Sequence, residues 1–252
     1  MKFALVNEQR QEAQPNLSGA CQTCGHPMVA KCGESRVWHW AHKGSHRCDP
    51  WWENETPWHR AWKGHFPVNW QEIVHRAEDG ERHVADVKTD HGWVLEFQNS
   101  YIKPEERRSR ESFYPKIVWV VNGTRRIRDR QQFFNAWERG VPVGNNSAVR
   151  RVFSDECVLL REWASGAAPV FLDFGEEEQG LRWLLRTSCN ASIYVAHFTR
   201  AAFIEVHRVG AFDALAMELG KLVAGYELHL QARPVQGFPQ YLARKGRFRR
   251  RF

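Results

Sequence analysis

Five consecutive apolar residues, Ile117–Val121 (IVWVV), place the tightest constraint on the fold of this chain. A strand that is apolar on both faces is typical of a parallel sheet that helices cover on both sides. A parallel neighbour is reached through a crossover connection, which is usually a helix. The run therefore predicts a layered α/β fold.

The residues before this strand supply the other elements of such a fold. Turn signals at Asp79-Gly80 and Asp90–Gly92 separate short strands, and Pro104 suits the first turn of a helix. The predicted order is α-β-β-β-α-β: a helix that Asn54 caps and that contains Pro57, strands at Val68–Arg76, Arg82–Lys88 and Trp93–Gln98, a helix from Pro104 to about Pro115, and the strand Ile117–Val121.

The second and third predicted strands carry two acidic residues. Asp86 lies on one side of a hairpin, and Glu96 and Gln98 lie on the other. Side chains alternate between the faces of a strand, so Glu96 and Gln98 point the same way, and a hairpin can bring Asp86 to that face. Two converging carboxylates suit a hard cation such as Mg²⁺. Such an ion bound to a phosphodiester is the core of a nuclease mechanism.

Metal-ligating residues crowd the first fifty positions, where aliphatic residues are few. Cys21 and Cys24 have the C-x2-C spacing of a zinc knuckle, and the segment VWHWAH supplies His39 and His42. Four thiolate and imidazole ligands would close a tetrahedral Zn²⁺ site, which would hold a segment without a large core together. His39 and His42 are the preferred second pair, and Cys48 is the first alternative. Three further residues are within reach: Cys32, His26 and His46.

Charge favours a polyanionic partner, because the chain has a net charge of +7 and a pI of about 9.3. The last twelve residues contain six Lys and Arg and no acid, so they predict contacts with phosphate. No apolar run is long enough to span a bilayer, and the N-terminus turns polar too soon for a secretory signal. We therefore expect a cytoplasmic protein without a membrane partner.

Several motifs together resemble the competence protein CoiA-like nucleases, over about residues 20–125. They occur in this order: VWHWAH, ENETPWHRAWK, HVADV, LEFQNS and RSRESFYPKIVWVV. That family belongs to the PD-(D/E)xK nuclease superfamily. The resemblance implies a restriction-endonuclease-like α-β-β-β-α-β core and a DNA nuclease that depends on Mg²⁺ (or Mn²⁺), linked to DNA uptake and recombination.

The resemblance also implies roles for individual residues. Asp86 and Glu96 match the metal-binding acids, and Glu55 matches the acid of the first helix. Gln98 stands where many superfamily members carry lysine, and its amide can orient a water molecule but carries no charge. The expected nucleic-acid contacts are His59, Lys63, Lys88, Arg107, Arg110, Arg247, Arg249, Arg250 and Arg251, of which Lys88, Lys63 and Arg110 are candidates for the missing cation.

The predicted organisation is an N-terminal zinc-binding segment at 1–50, a PD-(D/E)xK-like nuclease core at 51–135, a C-terminal α+β domain at 151–240 and a basic tail at 241–252. Residues 136–150 are predicted to be a linker or long loop, because Gly, Pro and Asn break any periodicity. The function expected first is a metal-dependent DNA nuclease acting in DNA processing, recombination or defence. The alternatives are a DNA-binding recombination protein with little or no cleavage, and a nuclease subunit that docks a protein partner through its C-terminal half.

Overall fold

The computed structural model describes residues 1–45, 48–51, 53–166, 168–175, 180–185 and 192–232. Two β-sheets organise these residues. The first is formed by the N-terminal segment, and the second, which is larger and mixed, runs through the rest of the described chain. Helices accompany the second sheet, so the protein is a mixed α/β structure.

The N-terminal segment is an antiparallel sheet that curls into a half-barrel. Its small core contains the buried residues Met1, Ala4, Met28 and Trp40. Its strands, in the spatial order β2-β1-β3-β4-β5, are β1 (Phe3–Val6), β2 (Gln9–Glu12), β3 (Ser18–Ala20), β4 (Pro27–Lys31) and β5 (His39–His42).

The second sheet contains nine strands among the described residues, in the spatial order β10-β11-β14-β13-β12-β9-β8-β7-β6. Its pairs are antiparallel except for β8 with β9 and β9 with β12. The strands are β6 (Gln71–Arg76), β7 (Arg82–Lys88), β8 (Val94–Gln98), β9 (Ile117–Asn122), β10 (Val141–Val143), β11 (Asn146–Phe153), β12 (Val170–Asp173), β13 (Leu181–Leu185) and β14 (Ser192–Phe198). The helices are α1 (Pro57–Gly64), α2 (Pro104–Phe113), α3 (Ile127–Arg139), α4 (Val158–Trp163), α5 (Arg200–Arg208) and α6 (Phe212–Ala232).

The predicted order α-β-β-β-α-β is present as α1, β6, β7, β8, α2 and β9, with α2 crossing between the parallel strands β8 and β9. Strand β9 is buried along its whole length. Trp119 and Val121 belong to the hydrophobic core on one face of the sheet, and Val118 and Val120 belong to the core on the other. Apolar layers on both faces explain why every position of this strand is hydrophobic.

Three local predictions are wrong. The strand predicted from Val68 begins at Gln71, because Val68–Trp70 form a short 3-10 helix. Thr56, rather than Asn54, caps α1, and its hydroxyl accepts the amide of His59 at 3.4 Å. Pro57 is the first helical residue, and the residue before a proline favours extended backbone, which is the conformation an N-cap requires. Residues 136–150 are not a linker or a long loop, because they contain the end of α3 and most of the β10–β11 hairpin. Gly144, with φ of +57°, permits the tight turn of that hairpin.

The strands that follow residue 150 extend the same sheet as the predicted core. Strand β12 pairs directly with β9, and β13, β14 and β11 continue from it. Within the described chain, no helix combines the length and apolar character needed to cross a membrane.

Candidate zinc centre and acidic site

Four metal-binding side chains come together beside the N-terminal sheet: Cys21, Cys24, His42 and Cys48. Their ligand atoms all lie within 4.8 Å of one another. Cys21 Sγ is 3.7 Å from Cys48 Sγ, and Cys24 Sγ is 3.5 Å from His42 Nε2. With bonds of about 2.3 Å to sulfur and about 2.0 Å to nitrogen, the ligand atoms of a tetrahedral zinc ion are about 3.5–3.8 Å apart. This group can therefore bind a structural Zn²⁺ ion.

The prediction that His39 is a zinc ligand is wrong, and Cys48 takes its place. His39 and His42 lie three residues apart on β5, so the alternation of a strand directs them to opposite faces. His42 shares its face with the buried Trp40. His39 Nδ1 instead donates a hydrogen bond to the carbonyl of Val37 at 2.9 Å.

A tight turn at the knuckle presents the first two thiols. Gly25 has φ of +74°, which glycine adopts without a steric penalty, and its amide donates to the carbonyl of Cys21 at 2.8 Å. The amide of Thr23 donates to the sulfur of Cys21 at 3.4 Å. An amide directed at sulfur stabilises the thiolate, which is the form that binds metal.

Asp86 and Glu96 lie next to each other on β7 and β8. The backbone pairing of these strands, Lys88 with Val94 and Val87 with Leu95, ends one residue before them. The amide of Asp86 donates to Glu96 Oε1 at 3.3 Å, and the amide of Phe97 donates to Asp86 Oδ2 at 3.0 Å. The hairpin therefore brings the two carboxylates together.

Burial makes this acidic pair unfavourable without a cation. Burial and the neighbouring Asp86 raise the pKa of Glu96 to about 8, although Arg110 acts in the opposite direction. Burial also raises the pKa of Asp86, against the influence of Lys63. Arg110 donates to Glu96 Oε2 at 3.0 Å and to Glu106 Oε1 at 2.6 Å. The charge of Arg110 is thus shared between two acids and only partly compensates the pair.

Lys63 brings a second buried positive charge to the acids. Its Nζ lies 2.7 Å from Glu55 Oε1, 2.8 Å from Glu72 Oε1 and 3.8 Å from Asp86 Oδ1. Burial acts to lower the pKa of Lys63, but the carboxylates of Glu72, Asp86 and Glu55 outweigh it and hold the pKa above its ordinary value. Burial would raise the pKa of Glu55, yet Lys63 and Arg60 keep it lowered, so Glu55 stays ionised.

Glu72 is a residue of this site that the sequence did not indicate. It lies on β6 opposite Asp86, because the strand pairs on either side of it keep one register. Burial favours the neutral acid, but Lys63 and the amide of Lys2 lower the pKa of Glu72 to about 2. Gln71 and Glu72 are both buried, so β6 does not alternate here. The sequence feature that could have indicated Glu72 is the presence of two adjacent polar residues, Gln71 and Glu72, in a predicted strand.

Gln98 belongs to a neighbouring polar group with His59 and Glu53. Its Nε2 donates to Glu53 Oε2 at 3.3 Å and to the carbonyl of Ser100 at 3.2 Å. The amide of Thr56 donates to His59 Nδ1, so the ring proton lies on Nε2, 3.4 Å from Glu53 Oε2. Burial acts to raise the pKa of Glu53, but the hydrogen bonds from His59 and Ser100 lower it.

A cavity of about 360 Å³ connects the zinc centre with the acidic site. Its wall includes the candidate zinc ligands His42 and Cys48 on one side and residues of α1, β6, β7 and β8 on the other. Charged or hydrogen-bonding residues line it, including Arg110 of α2 and Asp49 next to Cys48: Asp49, Glu53, Glu55, His59, Lys63, Glu72, Asp86, Glu96, Gln98 and Arg110.

The remaining predicted DNA contacts lie elsewhere. Lys88 is at the end of β7, outside the cavity wall, where its charge reaches His75. Arg107 is buried: it donates to Glu111 at 2.8 Å and to the carbonyl of Glu162 at 3.0 Å, and it stacks on Trp163. It is therefore unavailable to a surface-bound phosphate. The four tail arginines, Arg247, Arg249, Arg250 and Arg251, lie outside the described residues.

The fold and these sites define a mixed α/β protein with a Cys3His metal-binding group and a buried acidic cavity beside it. No family model matches the chain, and neither a curated protein nor a solved structure matches it.

Proposed function

We propose that this protein is a Mg²⁺-dependent DNA nuclease with a restriction-endonuclease-like core, as the CoiA-like resemblance implies. The observation that carries the proposal is the pair Asp86 and Glu96, which are neighbours on β7 and β8 and line a cavity; Glu96 is buried and the Asp86 side chain is 25% exposed. Two neighbouring carboxylates whose negative charge is only partly neutralised by basic side chains destabilise a fold. Their presence therefore favours a site that binds a cation.

The donor set fits Mg²⁺. This ion is commonly held by one or two carboxylates, with water and substrate phosphate completing its shell. Asp86 and Glu96 would supply the carboxylates, and the cavity leaves room for a phosphate group. When bound, Mg²⁺ lowers the pKa of a water molecule and offsets charge on the phosphate.

The residues around the pair can support phosphodiester hydrolysis. Lys63 is a fixed positive charge 3.8 Å from Asp86, and a buried charge aimed at developing negative charge is effective in a water-poor site. Lys63 can supply from α1 the positive charge that a lysine at position 98 would supply from β8. Glu55, kept ionised by Lys63, can accept a hydrogen bond from water in the cavity.

Cleavage of a panel of DNA forms tests the proposal. We expect Mg²⁺ or Mn²⁺ to support cutting of at least one of supercoiled, linear duplex, nicked and single-stranded DNA, and EDTA to stop it. Asp86→Ala should abolish cutting, since it removes a metal ligand. Asp90→Ala is the matched control, because Asp90 is an exposed acid in the turn of the same hairpin. Purified protein that cuts none of these forms with either metal would refute the proposal.

A DNA-binding protein without cleavage is the second candidate, and one observation favours it. Both oxygens of Glu96 already have donors, the amide of Asp86 and the guanidinium of Arg110, without any metal. A gel-shift assay on the same DNA panel separates the candidates. Binding that survives Asp86→Ala, with no cutting by the wild-type protein, supports the binding function. Cutting that appears only with an added partner supports the partner-docking alternative.

A further inference from the structure

Glu72 has an uncommon backbone conformation for its position. Its φ is +49° near the start of the edge strand β6, and residues other than glycine, Asn and Asp rarely adopt this left-handed conformation. Such strain is unfavourable and persists where surrounding contacts hold it. The contacts that hold Glu72 therefore indicate what this residue is for.

The carboxylate of Glu72 joins two parts of the molecule. Oε1 accepts from Lys63 Nζ at 2.8 Å and from the amide of Lys2 at 2.7 Å, and Oε2 accepts from the amide of Phe3 at 3.0 Å. Lys2 and Phe3 begin the N-terminal sheet, whereas Lys63 belongs to the acidic site. With 4% of its surface exposed, Glu72 makes these bonds largely out of water, where they are strong.

The backbone of Glu72 is bound to the zinc knuckle itself. Its carbonyl accepts from the side chain of Gln22 at 2.9 Å, and Gln22 lies between the ligands Cys21 and Cys24. The next knuckle residue, Thr23, accepts through its carbonyl from Arg82 of β7 at 2.8 Å. Strands β6 and β7 are thus both attached to the knuckle.

The fourth zinc ligand is attached to β7 as well. Asp49 directly follows Cys48, and its carboxylate accepts from the amide of Val84 at 3.0 Å and contacts His83 Nδ1 at 2.9 Å. Val84 lies two residues before Asp86 on the same strand face. Both halves of the zinc centre therefore fix the strands that carry Glu72 and Asp86.

We infer that Glu72 is a positioning residue that holds Lys63 between Glu55 and Asp86 and links this arrangement to the folded zinc knuckle. The inference rests on the proposed function only for its effect on cleavage. Zinc then does more than stabilise the N-terminal sheet: it controls the placement of a cation in the acidic site. If Glu72 only stabilised the fold, replacing it would lower the free energy of unfolding without making Lys63 in particular more accessible.

Chemical labelling of Lys63 tests the link without any assay of cleavage. Lys63 is 3% exposed, so brief acetylation of the zinc-loaded protein should spare it, as peptide mass spectrometry would show. The exposed Lys221 serves as the internal standard for reagent dose. We expect labelling of Lys63 relative to Lys221 to rise when zinc is removed with a chelator, and to rise in Glu72→Gln with zinc bound.

Two further variants separate positioning from general destabilisation. Gln22→Ala keeps the carboxylate of Glu72 and removes only the hydrogen bond from the Gln22 side chain to the Glu72 carbonyl. We expect it to raise Lys63 labelling, and it still tests the link if Glu72→Gln does not fold. Glu12→Gln is the matched control, since Glu12 pairs with Lys2 but is half exposed and makes no contact with Lys63. It should label as the wild-type protein does.

Cleavage supplies the second readout. Loss of a residue that orients groups around a metal site typically costs about 10–100-fold in activity or metal affinity, and we expect this for Glu72→Gln and a smaller loss for Gln22→Ala. If zinc-free protein and both variants, while folded, protect Lys63 as well as the wild type does, the inference is overturned. If the wild-type protein cuts no DNA but Lys63 labelling responds as expected, the proposed function fails and the positioning role of Glu72 stands.

Discussion

Replacing Glu96 by glutamine should make the protein more stable at high pH while it abolishes cleavage. Glu96 has a pKa of about 8 in the folded protein, raised first by burial and then by Asp86. Its pKa in the unfolded chain is about 4.3. An acid whose folded pKa is raised favours folding fully below the unfolded pKa, and that contribution is lost as pH rises through the folded pKa. Glutamine has no proton to lose, so the variant escapes this loss.

The size of the effect follows from the two pKa values. One unit corresponds to about 1.4 kcal/mol, so the raised pKa of Glu96 costs the wild-type protein about 1 kcal/mol at pH 5 and about 5 kcal/mol at pH 8. The new amide is a poorer partner for Arg110, which costs about 1–3 kcal/mol at every pH. The free energy of unfolding of Glu96→Gln minus that of the wild type should therefore rise by about 4 kcal/mol between pH 5 and pH 8.

Urea denaturation of zinc-loaded protein at pH 5, 6, 7 and 8, without Mg²⁺, measures this difference. Glu106→Gln is the matched control, because Glu106 bonds the same arginine but is one-third exposed and lies outside the cavity wall. This variant separates loss of a bond to Arg110 from loss of the buried carboxylate of Glu96. A flat or falling difference for Glu96→Gln would contradict the assignment of Glu96 as an acid held unfavourably in the fold, and would weaken the argument that the pair exists to bind a cation.

Three further predictions concern other parts of the molecule. Cys48→Ser should lose most bound zinc, whereas His39→Ala should keep about one Zn²⁺ per chain by metal analysis, because His39 faces away from the site. His207→Gln should remove a stability loss of about 3 kcal/mol that the wild type shows as pH falls from about 6.5 towards 4, since burial lowers the pKa of His207 to about 4; urea denaturation across that range measures it. Asp173→Asn should cost about 1–3 kcal/mol by thermal or urea unfolding, because an amide is a weaker acceptor than the buried carboxylate for the indole groups of Trp58 and Trp62; an unchanged midpoint would contradict this.

The sequence was most informative where apolar pattern and turn chemistry agree. Strand β7 begins and ends where its alternation and flanking turns predicted, and β9 matches the apolar run to within one residue. The N-terminal strands were not foreseen, because short strands such as β2 and β3 have no fully buried residue and show no apolar alternation. A small core and the adjacent metal-binding group hold these strands together, so the strands lack the apolar alternation by which strands are usually predicted.

The acidic pair could be predicted, but its partners could not. Asp86 and Glu96 are near neighbours through a hairpin of a few residues, so local pattern brings them together. Glu72 reaches Asp86 and Glu96 only through the pairing of β6 with β7 and through its positive φ. Neither feature can be predicted from the residue pattern. Cys48 replaced His39 for a similar reason, since a ligand supplied by a loop depends on the path of that loop.

The C-terminal half affects the acidic site even though its strands carry none of the site residues. Asp173, at the end of β12, accepts hydrogen bonds from the indole nitrogens of Trp58 and Trp62, each at 2.9 Å. Both tryptophans belong to α1, so this buried carboxylate fixes the helix that presents Lys63. The position of Lys63 is thus held from two sides, by Asp173 through the helix and by Glu72 through a direct ion pair. Because β12 pairs with β9 in the same sheet, the C-terminal half helps to place Lys63, which approaches Asp86 from α1.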